Sequence, residues 1–186
     1  MSIKLIITFL AISLSICGRA QKPETPIWVK TEPYGHHEHK TVLQFYFHDI
    51  ILNENPTSIL IAQPLNDNKT DFRFGSLFMV DDPLTLTPDP NSKLLGRAQG
   101  FFGRTSKEDI SLIMGLALSF IDGMYNGSSI VIFTHIPIMN TEREFPVVGG
   151  TGLFRMARGF AEARTYFSDP TTFNAIVGYN VTIFHP

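Results

Sequence analysis

Short runs of apolar, β-branched and aromatic residues recur along most of the chain and are separated by turn residues. Alternation with a period of two is typical of strands. Eight such runs fall approximately at residues 41–51, 57–63, 72–81, 93–103, 110–121, 128–135, 154–165 and 172–184. Their connections suit hairpins, and no long helical pattern separates them. The pattern predicts an all-β, eight-stranded antiparallel barrel, because closure leaves no exposed sheet edge.

The segment from Glu144 to Thr165 has the clearest internal pattern. An apolar run meets three glycines, Gly149, Gly150 and Gly152, which together predict a turn. The strand predicted after the turn alternates small residues with large or charged ones, the small face being Ala157, Gly159, Ala161 and Ala163. Such a face, turned towards the inside of a barrel, would leave room for a ligand.

Residues 106–121 are ambiguous. Ser106 followed by acidic residues is typical of a helix start. Gly115 and the strand patterns on both sides favour a strand. Periodicity alone leaves both alternatives open, since short apolar runs fit either.

The first forty residues differ from the rest. Lys4, an apolar run over residues 5–17 and the small residues around Ala20 predict a secretory signal peptide, residues 1–20. Residues 21–40 are polar and Pro-rich, which predicts a flexible arm ahead of a barrel domain over 41–186. We interpret the histidine-rich end of this arm as solvated and predict no metal site. No later stretch has eighteen uninterrupted apolar residues, so no membrane span is predicted.

Net charge and cysteine content argue against several classes of partner and of catalysis. Of 186 residues, 15 are basic and 17 acidic, and loss of Lys4 and Arg19 with the signal peptide would leave 13 basic residues and a formal charge of −4. This acidity argues against nucleic acid as a partner. The only cysteine, Cys17, lies in the predicted signal peptide, so the predicted mature chain has no disulfide and no cysteine nucleophile. Three glycosylation acceptors occur, at Asn68, Asn126 and Asn180.

No strong catalytic motif is present, so candidate chemistry rests on single ionisable residues in apolar surroundings. Asp49 would share a strand face with Phe45 and Phe47. Burial there would raise its pKa and suit a general acid. The alternative is that Asp49 ends the strand by hydrogen-bonding a turn. We interpret the Asp81-Asp82 pair before a proline as an acidic turn.

Several motifs in order resemble the dirigent protein family of plants. They are FYFHDI (45–50), DDPLT (81–85), GRAQGFF (96–102), YNGSSI (125–130) and REFPVVGGTGLFRMARGFAEART (143–165). The likeness runs from about Val42 to the C-terminus and is greater to the branch with pterocarpan synthase-like members than to the lignan-forming branch. It implies an allene oxide cyclase-like (calycin-type) barrel, a homotrimer, glycosylation and secretion to the apoplast.

The resemblance also implies a function without a cofactor. A separate laccase or peroxidase would generate phenoxy radicals from coniferyl alcohol or a related phenol, and the barrel would direct their coupling to one stereoisomer in lignan biosynthesis. Some family members instead close a ring through a quinone methide. Two other classes stay open: a non-catalytic carrier of small phenolics and a structural component of the cell wall.

The site residues implied by the resemblance follow from motif positions. Asp49 is the acid of the HDI motif, and Glu144 is the acid ahead of the glycine turn, where lignan-forming members have Asp. Arg158 is the arginine of the ARG motif, and Phe102 stands where the family often has Tyr. We therefore expect Asp49, Glu144 and Arg158 to be catalytic, and Phe45, Phe47 and Phe102 to bind the substrate.

Overall fold

The computed structural model describes residues 38–64 and 73–186. Nine strands form within these ranges: β1 His39–Asp49, β2 Ser58–Ala62, β3 Leu77–Thr85, β4 Leu94–Arg104, β5 Ser111–Phe120, β6 Ser129–Pro137, β7 Glu142–Thr151, β8 Arg158–Ser168 and β9 Ala175–His185. Two short 3-10 turns, Gly123–Tyr125 and Gly152–Phe154, lie between strands. Across the described ranges, no helix has the length and apolar character needed to cross a bilayer.

The strands form one antiparallel sheet in the order β1-β9-β8-β7-β6-β5-β4-β3-β2. The sheet closes because β1 also pairs with β3, through Tyr46 with Thr85 and Phe47 with Leu84. The predicted closed, eight-stranded antiparallel barrel is confirmed, with β2 as one additional strand. The predicted signal peptide lies outside the described residues, as does all of the predicted arm except residues 38–40.

The additional strand β2 continues along the same edge of β3 after β1 has left it. Ser58 of β2 lies opposite Val80 of β3. The amides of Thr57 and Ser58 both donate to the carbonyl oxygen of Ile50, at 2.8 and 3.1 Å. Strands β1 and β2 therefore pair one after the other with the same edge of β3, where a single strand would otherwise lie. Residues 51–56 between them leave the sheet, and we call this segment the excursion.

The predicted turn at residues 149–152 is wrong in its first half. Gly149 and Gly150 belong to strand β7, which the hydrophobic pattern did not separate from the turn. The reversal comes at Gly152, which has φ +62° and whose added Cβ would lie 2.6 Å from Ser128 Oγ. The sequence prediction thus omitted β7 and counted β2 among the eight barrel strands.

The ambiguous segment over residues 106–121 is a loop followed by strand β5. Ser106 does act as a cap, since its hydroxyl oxygen accepts the amides of Glu108 and Asp109, but these bonds close a turn instead of starting a helix. Alternate residues of β5 are buried in the barrel, with a period of two: Met114, Leu116, Leu118 and Phe120. The strand pattern therefore prevails.

The barrel interior is filled mainly by alternate side chains of all eight strands, with the small face of β8 among them. Ala161 and Ala163 are fully buried, as the alternation predicted. We call the end of the barrel at which β1 terminates the upper end. The β4–β5, β6–β7 and β8–β9 connections lie at this end, because their strands run antiparallel to one another.

Candidate functional site

Two carboxyl groups face each other inside the upper end of the barrel. Asp49 is the last residue of β1, and the register that pairs Phe47 with Leu84 would place Asp49 opposite Asp82 two residues further on. Asp82 is fully buried and shares its strand face with the core residues Phe78 and Val80. The two acids meet where β1 separates from β3 and the excursion towards β2 begins.

The polar atoms at this point are buried and poorly hydrogen-bonded. Asp49 Oδ1, Ser58 Oγ and both carboxyl oxygens of Asp82 make no hydrogen bond of good geometry within the described part of the chain, although the hydroxyls of Ser58 and Thr57 lie close enough to oppose the rise in the pKa values of Asp49 and Asp82, respectively. Buried polar groups are nearly always hydrogen-bonded in folded proteins, so a cluster of unsatisfied ones indicates a functional site. The cluster is suited to receive polar groups of a ligand.

Burial changes the protonation of both acids. It raises the pKa of Asp49 from 3.8 to about 6. It raises the pKa of Asp82 from 3.8 to about 8, with a further contribution from the nearby charge of Asp49. Between these two values the pair holds about one proton, because each negative charge disfavours the other. One group can then donate a proton while the other accepts one.

Arg143 brings a positive charge to the interior. It alternates with the buried residues Phe145 and Val147 on β7, and its Nη2 donates to Thr165 Oγ1 at 2.8 Å. Its Nε is buried and has no hydrogen-bond partner in the described ranges. Burial lowers the pKa of Arg143, yet a guanidinium stays protonated in proteins and can bind a developing oxyanion.

Tyr179 adds a buried hydroxyl group beside this charge. Ala163 of β8 lies between them, paired with Arg143 on one side and with Tyr179 on the other. Ala163 contributes only a methyl group to the interior between these two larger side chains. Burial raises the pKa of Tyr179, so its hydroxyl remains a hydrogen-bond donor.

Aromatic side chains surround this polar group. The ring of Tyr179 stacks on Phe45, with centroids 5.4 Å apart, and lies 5.9 Å from the ring of Phe47. Phe102 is also buried and stacks on Phe78 at 4.9 Å. The three predicted substrate-binding phenylalanines thus lie inside the barrel, and their contact with a substrate stays a prediction.

The other two predicted catalytic residues lie outside. Glu144 is exposed because Arg143 and Phe145, its neighbours on β7, occupy the interior face. Arg158 is exposed at the start of β8, where its guanidinium bonds Glu38 at 2.9 Å and lies over the ring of Phe184. Glu144 and Arg158 therefore do not face the interior in which Asp49 lies, and their catalytic role stays a prediction.

Three residues of the site were missed or misread. Asp82 was read as part of an acidic turn, but both aspartates belong to β3 and only Asp81 points outwards, where it bonds Arg97. The alternation with Phe78, Val80 and Leu84 was the signal for Asp82. The same signal, alternation with buried neighbours, would have identified Arg143 on β7 and Tyr179 on β9.

A buried histidine fixes the register next to the acids. His48 Nε2 and Thr85 Oγ1 are 2.7 Å apart, and the Thr85 hydroxyl donates to the carbonyl oxygen of Thr87 at 2.7 Å. Because the single hydroxyl proton of Thr85 is used in that bond, Nε2 is the donor to Thr85. Burial lowers the pKa of His48, which favours the neutral ring. This chain of bonds joins β1 to the end of β3.

The predicted glycosylation acceptors have different surroundings. Asn126 is exposed in the β5–β6 connection. Asn180 lies on the outer face of β9, and its Nδ2 donates to Glu162 Oε2 at 3.1 Å. Asn68 lies outside the described residues.

Comparisons with known proteins agree on one family. The family model described as "Dirigent-like protein" matches residues 40–184. Dirigent protein 23 from Arabidopsis thaliana is 54% identical over 145 residues, which cover 78% of this chain and 78% of that relative.

Pterocarpan synthases are also similar to this chain. Pterocarpan synthase 1 from Glycyrrhiza echinata is 42% identical over 153 residues, covering 81% of each chain. A solved structure of a pterocarpan synthase dirigent protein superposes with a TM-score of 0.79 at 40% identity, covering 85% of this chain and 99% of that one.

Proposed function

Because this chain belongs to the dirigent family, we propose that it directs the stereochemistry of bond formation on a phenolic quinone methide held inside its barrel. The observation that carries this proposal is the facing pair of buried carboxyl groups, Asp49 and Asp82. Formation and capture of a quinone methide need one group that donates a proton and another that accepts one. The raised pKa values of the two acids provide both near neutral pH.

The proposed first step makes the quinone methide. Asp82, in its neutral form, donates a proton to a benzylic hydroxyl group, which leaves as water. The phenol conjugated with that carbon gives its proton to the Asp49 carboxylate, and its oxygen electrons form the quinone carbonyl. One water is lost, and the organic product is neutral.

The proposed second step closes a ring. A second hydroxyl group of the same molecule attacks the benzylic carbon and passes its proton to Asp82. The quinone carbonyl oxygen takes the proton held by Asp49 and becomes a phenol again. Arg143 and Tyr179 are placed to stabilise negative charge on that oxygen. Both acids return to their starting states, so the cycle needs no oxidant.

The interior surfaces account for selectivity. Ala163 contributes only a methyl group between Arg143 and Tyr179, while the rings of Phe45 and Phe47 form an apolar side. A planar phenolic ring would fit there in one orientation, which exposes one face of the benzylic carbon. A difference of about 1.4 kcal/mol between the two approaches gives roughly tenfold selectivity.

Radical coupling is the second candidate. Coupling of two phenoxy radicals, each formed by one-electron oxidation by an external laccase or peroxidase, also yields quinone methides that an internal hydroxyl group can attack. The same acid pair would serve that closure, and the aromatic interior would orient the radicals. The likeness to pterocarpan synthases supports ring closure, and the likeness to other dirigent proteins keeps radical coupling open.

The proposed setting is the apoplast. We propose secretion after removal of residues 1–20, glycosylation at Asn68, Asn126 and Asn180, and assembly as a homotrimer. Exposed apolar side chains on the outer faces of β3 and β6, including Met79 and Phe133, support association between copies. Light scattering of the secreted protein, before and after enzymatic removal of N-glycans, tests both points.

The experiment uses residues 21–186 expressed as a secreted protein. In one assay the substrate is an isoflavanol with a free phenol on the neighbouring ring, and in the other it is coniferyl alcohol with a laccase. Chiral chromatography follows the products of both. Accelerated ring closure supports the first candidate, and one lignan enantiomer in excess supports the second. Saturable binding of both phenols without any change in products contradicts both and favours a carrier.

A further inference from the structure

A second concave site lies outside the barrel wall at the upper end. This outer cleft has a volume of about 410 Å³ and lies between the β4–β5 loop and β6. Its lining includes Thr105, Ser106, Lys107, Asp109, Ser111 and His135. Ligand pockets commonly have volumes of about 300–1,000 Å³. None of the interior acids lines the cleft, so it is separate from the candidate active site.

The lining of the outer cleft is rich in hydroxyl groups, of which Ser111 is the most informative. Ser111 is only 1% exposed, and within the described ranges its Oγ makes no hydrogen bond of good geometry, although it lies close enough to the Asp109 carboxylate to lower the pKa of that group. A buried hydroxyl with a poor hydrogen bond gains when a ligand donor or acceptor reaches it. Thr105 and Ser106 place two further hydroxyl groups on the same cleft.

The charges in the outer cleft exclude several ligand classes. Among the lining residues, Lys107 contributes one positive charge and Glu108 and Asp109 contribute two negative charges, so these three side chains have a net charge of −1. The hydroxyls of Ser106 and Ser111 lower the pKa of Asp109, which is therefore an ionised acceptor. Small anions are disfavoured by this charge. No group of three metal-ligating side chains occurs in the part of the chain that the structure describes.

We propose that the outer cleft binds a sugar residue. Each hydroxyl group of a pyranose can donate to Glu108 or Asp109 and accept from Lys107, and one can pair with Ser111. Phe74 is half-exposed beside the cleft, with Lys107 Nζ 5.5 Å from its ring centroid. Its ring gives the C–H face of a sugar an apolar surface.

Two sources could supply the sugar. It could be part of a glycosylated phenol, whose aromatic portion would extend towards the barrel end, or a unit of a cell-wall glycan. Phenyl β-glucoside represents the first source and cellotetraose the second. Binding of each to residues 21–186 is measured by isothermal titration, with saturation-transfer NMR to identify the bound protons.

The variants lie on the outer face of β5 and in the loop that precedes it. Ser111→Ala removes the buried hydroxyl, and Asp109→Asn removes an exposed carboxylate at little risk to folding. Each should weaken sugar binding by roughly fivefold to tenfold, the loss expected for one hydrogen bond. Ser119→Ala is the matched control, since Ser119 is also on the outer face of β5 but does not line the cleft.

The two sugars give distinct outcomes. Binding of either one that weakens in Ser111→Ala and Asp109→Asn, but not in Ser119→Ala, supports the proposal and identifies the source. Absence of binding by both sugars at millimolar concentration overturns it. The proposal is also overturned if phenol alone displaces the phenyl glucoside completely, or if neither cleft variant changes the affinity for either sugar.

Discussion

Asp49 and Asp82 lie on facing interior positions at the point where strands β1 and β3 separate. Asp49 Oδ1 and both oxygens of Asp82 make no hydrogen bond of good geometry within the described ranges, and the charge of Asp49 raises the pKa of Asp82. A single break in the sheet thus brings the two acids of the candidate site together and accounts for their protonation behaviour. The predictions below follow from this pair and from the residues around it.

Stability should depend on pH through Asp82. The folded state raises the pKa of this group from 3.8 to about 8, so it holds the proton more tightly than the unfolded state does. The free energy of unfolding should therefore fall as pH rises through this window, by on the order of 1 kcal/mol per unit. Denaturant unfolding at pH 6 and pH 8 measures the fall, which should largely disappear in Asp82→Asn.

Asp81→Asn is the control for that experiment. Asp81 is the neighbouring residue, but it is exposed and paired with Arg97 on the outer face. This variant should retain the decrease between pH 6 and pH 8. An equal decrease in the wild type and in Asp82→Asn would show that Asp82 does not titrate in this range.

The rate of ring closure should have a bell-shaped pH profile. The acidic limb reports ionisation of the base, near pH 6, and the alkaline limb reports loss of the acid proton, near pH 8. Asp49→Asn should remove the acidic limb, reduce the rate by about 10²-fold or more, and move the alkaline limb to lower pH because the charge of Asp49 no longer raises the pKa of Asp82.

Values of kcat/KM measured from pH 4 to pH 10 test this profile, and circular dichroism confirms that the variant is folded. A profile that is unchanged in Asp49→Asn, or full stereoselectivity in that variant, would contradict the acid-base role.

Neighbouring residues of β7 point to opposite faces, so substitutions at Arg143 and Glu144 should have different effects on activity. Arg143→Leu should reduce kcat by roughly tenfold to a thousandfold, because it removes the interior cation near Tyr179. Glu144→Gln and Arg158→Gln should keep activity within about twofold, since both side chains are exposed on the outer face. Steady-state kinetics of the three variants decide between this assignment and the one expected from the motifs. Loss of activity in Glu144→Gln alone would restore the motif-based assignment.

Filling the space beside Arg143 should block the substrate. Ala163→Leu adds three carbon atoms between Arg143 and Tyr179, and overpacking of this kind costs about 1–3 kcal/mol of stability. Binding of a phenolic substrate, measured by fluorescence titration, should weaken by at least tenfold. Ala117→Leu, on the outer face of β5, is the control and should bind normally. Unaltered binding by Ala163→Leu would place the substrate elsewhere.

The sequence was sufficient for the barrel and for the aromatic interior, because a period of two determines which side chains face inwards. Phe45, Phe47, Ala161 and Ala163 were all assigned to the interior by this rule. The same period of two places Asp82 inside the barrel with the buried residues on either side of it. Two aspartates before Pro83 also fit a turn, and that interpretation is wrong.

The motif positions do not specify which side chains face the interior. A motif identifies a short segment, but adjacent residues of a strand point to opposite faces. An error of one position exchanges Arg143 for Glu144, and the direction of each side chain depends on pairing with β6 and β8. The meeting of Asp49 with Asp82 depends on residues 33 positions apart and on an excursion whose path no local pattern specifies.

The excursion between β1 and β2 has a further consequence for how such barrels diversify. The other seven barrel positions are continuous strands, in which an insertion of one residue would reverse the direction of every side chain that follows. Residues 51–56 lie outside the ladder, so their number and composition can change without altering the register of any strand. This segment can therefore change next to Asp49 and Asp82 while both acids stay in place.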